Sequence, residues 1–159
     1  MESDVEIRIA LPDESDAITT LIRDAFAQFE SCYTPEAFAA TTPDSDKIRK
    51  RFDEGEIWSA LKNETIVGTV STVADSEKLY VRSMAVSPSA QGLGIGRRLL
   101  KAVENFAIEN GFESLFLYTT VYSSSAIRLY EQNGFVRGED SSPDEFFGTP
   151  GFAMEKKLS

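Results

Sequence analysis

Histidine is absent from this 159-residue chain, and cysteine occurs once, at Cys32. Without an imidazole there is no Ser-His-Asp or Cys-His relay, and the commonest metal ligand is missing. A single thiol cannot assemble a structural zinc site, so no metal is expected. No internal disulfide can form, which points to a reducing compartment and a cytoplasmic protein. Cys32, flanked by Phe29 and Tyr33, reads as buried apolar filler rather than as a nucleophile. No apolar run approaches the roughly 18 residues that span a bilayer, so no membrane partner is expected. The opening Met1-Glu2-Ser3-Asp4 lacks the basic-then-apolar pattern of a secretory leader.

Positive charge is scarce as well: 16 Lys and Arg stand against 26 Asp and Glu, a net charge of −10. A field of that sign repels nucleic acid and anionic lipid. The cations are unevenly spread. Residues 91–101 hold Arg97, Arg98 and Lys101 and no acid. Such an island reads either as a site for a small anionic ligand or as a solvated helix face. With 42% apolar and 26% charged residues the composition is globular, and the length suits one domain over residues 1–159.

Periodicity predicts a mixed α/β chain. A short strand over residues 6–10 precedes a helix from Pro12 to about Phe29, with Ala17, Leu21, Ile22 and Ala25 on one side. Residues 31–46, interrupted by Pro35 and Pro43, read as a loop with at most one helical turn, and Asp46 as the cap of a short helix ending near Gly55. Two strands, 57–61 and 65–73, flank a turn at Asn63-Glu64, and a third runs over 79–86. The clearest helix spans residues 95–110, with Gly111 at its C′ position. A strand at 115–119, a helix at 125–133 closed by Gly134, a strand from Phe135 and a last strand at 152–158 follow, with 138–148 an acidic loop. The strand–helix–strand unit over 79–119 is expected to be parallel with a right-handed crossover. A central mixed sheet with helices on both faces accommodates this order.

Gln91-Gly92-Leu93-Gly94-Ile95-Gly96-Arg97 lies between a strand end and a helix start. There, free N–H groups and the helix dipole favour an anion, and glycines allow close approach. The spacing excludes two phosphate-binding motifs. A P-loop requires Lys then Ser or Thr after its last glycine, where this chain has Arg97-Arg98. A Gly-x-Gly-x-x-Gly fingerprint fails in both frames, falling on Arg97 or Leu99.

The segment Ser83-Met84-Ala85-Val86-Ser87-Pro88-x-x-Gln91-x-x-Gly94-x-Gly96 resembles the core of the GCN5-related N-acetyltransferase superfamily. Ala126-Ile127-Arg128-Leu129-Tyr130-Glu131-Gln132-Asn133-Gly134-Phe135 resembles that family's Ala-x-x-x-Tyr-x-x-x-Gly-Phe segment. The opening Ile7-Arg8-x-Ala10 is similar more weakly. The resemblance implies an acyltransferase fold and transfer from acetyl-coenzyme A directly to a primary amine. It also implies that the pyrophosphate rests on the amides of residues 91–97, and that the pantetheine arm pairs with the backbone of Met84, Ala85 and Val86. Arg97 and Arg98 are candidates for phosphate contacts. Tyr130 is implied as the acid that protonates the departing thiolate. Ser123 stands where relatives carry a coenzyme-contacting Asn.

No general base is assigned. Tyr80 occupies a position where some relatives place a glutamate, and Glu77, Glu30 or an amine that arrives neutral are alternatives. Acids crowd the segments least like the family (Glu30, Glu36, Asp44, Asp46, Asp53, Glu54, Glu56, Asp140, Asp144, Glu145). They point to a small cationic amine, or else are only a solubilising surface. Acetylation of protein termini or lysines is a rival reading, and a regulatory module that senses acetyl-coenzyme A without turnover is another. A homodimer would be unsurprising.

Overall fold

The computed structural model describes residues 5–140 and 149–158. Its strands are β1 (Val5–Ile9), β2 (Ile57–Lys62), β3 (Thr65–Asp75), β4 (Lys78–Val86), β5 (Ser114–Thr120), β6 (Val136–Asp140) and β7 (Gly151–Lys157). Its α-helices are α1 (Ser15–Phe26), α2 (Pro35–Thr41), α3 (Ser45–Arg51), α4 (Ile95–Glu109) and α5 (Ser124–Gln132). The seven strands form one sheet in the order β1-β2-β3-β4-β5-β7-β6. All neighbours are antiparallel except β4 and β5, which are parallel and joined through α4. The β2–β3 hairpin closes at the expected place, with positive φ at both Asn63 (51°) and Glu64 (68°), the pattern of a type I′ turn.

Two apolar clusters cover the sheet. The larger buries Ile95, Leu99, Leu100, Val103 and Ala107 of α4 against Val70, Leu79, Val81, Leu115, Leu117 and Met154. The smaller packs Ile18 and Ile22 of α1 and Ile48 of α3 with Ile57 and Ala85. Burying a Leu or Ile side chain of this kind contributes about 1.5–3 kcal/mol. α4 and α5 therefore lie on one face of the sheet, and α1 and α3 on the other.

The structure departs from the sequence reading where helices are short. α1 stops at Phe26, and the chain tightens into a 3-10 segment, Ala27–Cys32, that buries none of its residues. With no fully buried side chain in this segment, little packing supports a longer α-helix. The expected loop at 31–46 contains α2. Pro35 starts that helix at N1 instead of breaking it, and the Thr34 hydroxyl accepts from the Ala37 N–H at 3.1 Å. The cap of α3 is Asp44, not Asp46: its Oδ1 accepts from the Lys47 N–H at 2.9 Å. Cys32 is exposed rather than buried. β6 extends through Asp140. The rest of the acidic loop, residues 141–148 with Asp144 and Glu145, lies outside the described residues, as does Met1-Glu2-Ser3-Asp4. Among the described residues no helix is long and apolar enough to cross a membrane.

Candidate active site

The centre of the sheet is split. β4 and β5 pair only from Lys78↔Ser114 to Tyr80↔Phe116, and beyond that point the parallel strands diverge. On its other edge β4 stays paired with β3, through Ser71↔Arg82, Thr69↔Ala85 and Gly68↔Val86, with a shift of register between Ser71 and Thr69. One more residue is used on β4 than on β3 over this stretch, and Ser83 carries the bulge at φ 54°. A bulge exchanges the two faces of a strand. Before it, Leu79 and Val81 enter the α4-side core; after it, Met84 and Val86 pack there and Ala85 turns to the α1 side. The β4 edge from Val81 onward thus carries backbone groups outside the β5 ladder, beside a gap that an amide-bearing chain can fill.

From Val86 the chain enters the glycine loop. Gln91 Nε2 donates to the Val86 carbonyl at 3.1 Å and ties the loop to the strand. Gly94 is the N-cap of α4 at φ 74°, the left-handed region. The first helical bond to a loop carbonyl runs from the Arg98 N–H to the Gly94 carbonyl at 3.1 Å. The N–H groups of Ile95, Gly96 and Arg97 thus form the open positive end of a 15-residue helix. The Ile95 side chain is buried in the core, so only its backbone faces a ligand. A Cβ on Gly96 would stand 2.8 Å from Leu129 Cδ2, because the start of α4 packs directly on α5. Arg98 does not serve the loop: its Nη1 donates to the Val5 carbonyl at 3.0 Å and braces β1. A different cation, Arg128 of α5, joins Arg97 in lining the cleft.

The position of Tyr130 follows from how α5 ends. The Phe135 N–H donates to the Tyr130 carbonyl at 3.0 Å and the Gly134 N–H to the Glu131 carbonyl at 3.1 Å. With Gly134 at φ 94° this is a Schellman termination. The apolar contact that accompanies such an ending is Tyr130 on Phe135, ring centres 5.7 Å apart. The spacing Tyr-x-x-x-Gly-Phe is therefore a geometric device that locks one phenol. Tyr130 is buried, and burial, followed by the neighbouring Tyr33, pushes its pKa well above the ordinary phenol value.

Two cavities meet at this residue. The larger, about 710 Å³, runs along Met84, Ala85 and Val86, the glycine loop and the first residues of α5. The smaller, about 280 Å³, lies over the split in the sheet between α2, Arg51, Tyr80, Tyr118 and Thr120. Phe26, Met84, Ser123, Ala126 and Tyr130 belong to the walls of both. Ser123 is buried, and its Oγ is 3.3 Å from Thr120 Oγ1, which in turn is 2.9 Å from the Tyr33 hydroxyl. Of the residues named from sequence, the large cavity gathers Met84, Ala85, Val86, Gln91, Gly92, Gly94, Ile95, Gly96, Arg97, Ser123 and Tyr130. Leu93 is not among its lining residues and points part of its side chain to solvent.

The smaller cavity differs from expectation in charge. No carboxylate of the described residues lines it; its charged groups are Arg51 and Arg82. Among the described residues, the acids expected to attract a cation do not line this cavity. Glu30 belongs to a separate surface cavity, and Glu77 sits in the exposed β3–β4 turn. Only Tyr80 among the candidate bases reaches the site, stacked on Phe116 at 5.0 Å. Burial raises the Tyr80 pKa and so keeps the phenol protonated near neutral pH, a shift partly countered by Arg82. Arg51, Arg82 and Tyr33 were missed from sequence because they lie in, or fold against, the segments with the weakest motif content.

The parallel pair thus splits over the N-terminus of α4, with the Tyr130 phenol fixed at the split. The family model for the acetyltransferase (GNAT) family matches residues 18–135, and the chain belongs to that family. It is 41% identical over 103 residues to the IAA acetyltransferase of Azospirillum brasilense, a match covering 62% of this chain and 65% of that protein. It is 31% identical over 140 residues to the uncharacterized N-acetyltransferase YhfO of Bacillus subtilis, covering 82% and 89% of the two chains. In architecture it matches the PaiA N-acetyltransferase of Thermoplasma acidophilum, solved in complex with coenzyme A. The TM-score is 0.82 at 20% identity over 96% of this chain and 98% of that one.

Proposed function

We propose that this protein is an N-acetyltransferase that moves the acetyl group of acetyl-coenzyme A directly to a primary amine of a small molecule. The observation that carries this reading is the meeting of the two cavities at Tyr130. The long cleft fits the coenzyme. The N–H groups at the start of α4 suit its pyrophosphate, Arg97 and Arg128 add charge, and the unpaired β4 edge suits the amides of its arm. Bound there, the coenzyme supplies an activated acetyl thioester. Tyr130, held protonated by burial, donates its proton to the sulfur as the thiolate leaves. Ser123, through Thr120, holds the wall on which Tyr33 rests.

The amine needs its lone pair free. No described carboxylate lines the acceptor cavity, and Arg51 and Arg82 disfavour an ammonium beside them, so the amine enters neutral. A volume of about 280 Å³ suits a small molecule, at the lower end of such sites.

Coenzyme A release with a panel of small primary amines and a lysine-containing peptide tests the proposal. Turnover with small amines and mass-spectrometric detection of the N-acetyl product are expected. Coenzyme binding without release for any amine would establish the sensing module instead, and turnover confined to the peptide would favour protein acetylation.

A further inference from the structure

Two guanidinium groups, Arg51 and Arg82, line the acceptor cavity, and Glu54, which is not among its lining residues, pairs with Arg82. Arg51, the last residue of α3, donates through Nη1 to Ser83 Oγ at 2.7 Å, on the β4 bulge. It forms no ion pair with a described acid. Glu54, whose charge also acts on Arg51, is engaged with Arg82 Nη2. Arg82 itself keeps a buried Nε with no hydrogen-bond partner. Both side chains line the same cavity as Tyr130. Burial, and then repulsion from Arg82, lowers the Arg51 pKa to about 10, which is the mark of a cation held away from water without its counter-ion.

Among the described residues one positive charge in this cavity thus lacks an ion-pair partner, in a chain whose net charge is −10. Arginine's planar fork is suited to a carboxylate, which it binds through two parallel hydrogen bonds. The remaining wall brings in the rings of Tyr80, Tyr118, Phe26 and Tyr33 among smaller aliphatic and hydroxyl side chains. We propose that the acceptor carries a carboxylate as well as its amine, and that Arg51, assisted by Arg82, holds that carboxylate while the amine faces Tyr130. The acceptor class is then an amino acid or a similarly small amino-carboxylate. This rests on the acetyl-transfer reading above and narrows it.

Matched pairs that differ only by the carboxylate test it: phenylalanine against phenethylamine, and leucine against isoamylamine. Two readouts are used, kcat/KM for acetylation and affinity by calorimetry in the presence of coenzyme A. In the wild type the carboxylate member of a pair is favoured by about 10–100-fold, the worth of a charge-assisted pair. Arg51→Gln collapses that ratio towards one, and Arg51→Lys, which keeps the charge but loses the fork, lies between. Glu54→Gln, on an exposed turn, frees Arg82 and raises the ratio severalfold. Coenzyme A affinity, measured in each variant, shows that the fold and the cleft are intact.

Equal kcat/KM within each pair, or a ratio untouched by both Arg51→Gln and Glu54→Gln, overturns the inference while leaving acetyl transfer standing. If no amine turns over, calorimetry still decides: binding of the carboxylate member that Arg51→Gln abolishes supports the inference, and its failure to bind the wild type refutes it.

Discussion

Tyr80 stands where a carboxylate would serve as base, and its environment keeps it from that role. Burial raises its pKa and outweighs the opposing pull of Arg82 and Arg51, so the phenol stays protonated near neutral pH. The proton must then leave the amine before chemistry. The expected consequence is a kcat/KM that rises about tenfold per pH unit up to the pKa of the free acceptor amine. Two acceptors of different pKa should show correspondingly displaced profiles. A plateau near pH 7 that is the same for both would mean a protein base. Tyr130 adds no descending limb below about pH 10, because its pKa is raised, not lowered, by burial. Tyr130 and Gly134 could be picked from the sequence because their spacing is a helix ending with fixed local geometry. Arg51 and Arg82 could not, since a cation's partner is settled by which strands and helices meet, here α3 on the β4 bulge.

Among the elements, the start of α4 and the end of α5 position the site, and each turns on a glycine. Gly94→Val forces a branched side chain to φ 74° at the helix cap. Coenzyme affinity by calorimetry should fall by at least tenfold in the folded variant. Undiminished affinity would remove the phosphate from this loop. Gly134→Ala places a Cβ at φ 94° and 3.1 Å from Lys156 Cε. About 1 kcal/mol or more of stability should be lost in chemical denaturation, with kcat falling as the Tyr130–Phe135 contact loosens. The entry to α1 is braced differently. Glu14 takes two hydrogen bonds from Arg8, at 3.0 and 2.7 Å, and one from the Leu11 N–H at 2.8 Å. Its pKa is lowered, first by the Arg8 hydrogen bonds. A depressed folded-state pKa stabilises above the unfolded value and is lost as pH falls through the folded one. Wild type should therefore lose stability relative to Glu14→Gln as pH drops below about 4.5, and a constant difference down to pH 2 would contradict this brace. The strands, the long helix and both glycine-terminated turns were legible because their signals are periodic or local. α2 was not, because Thr34-Pro35 starts a helix with the same residues that elsewhere mark a break.

The whole molecule has a charge of −10, yet the cavity beside Tyr130 is lined by arginines. Sequence composition reports the average field, and folding sorts it: none of the described acids lines this cavity, while Arg51 and Arg82 turn inward over the split sheet. That split is the feature on which the account depends. It joins a long cleft that suits a coenzyme to a small cavity that suits an amine, and it leaves Tyr130 as the protic side chain common to both with Ser123. The most direct test is Tyr130→Phe, which removes one hydroxyl from a buried ring. Steady-state kinetics with the best amine should show kcat reduced by about 10²–10³-fold, while coenzyme A affinity by calorimetry is unchanged. An unchanged kcat would contradict the role given to Tyr130 and, with it, the reading of the split as the place where the acetyl group is transferred.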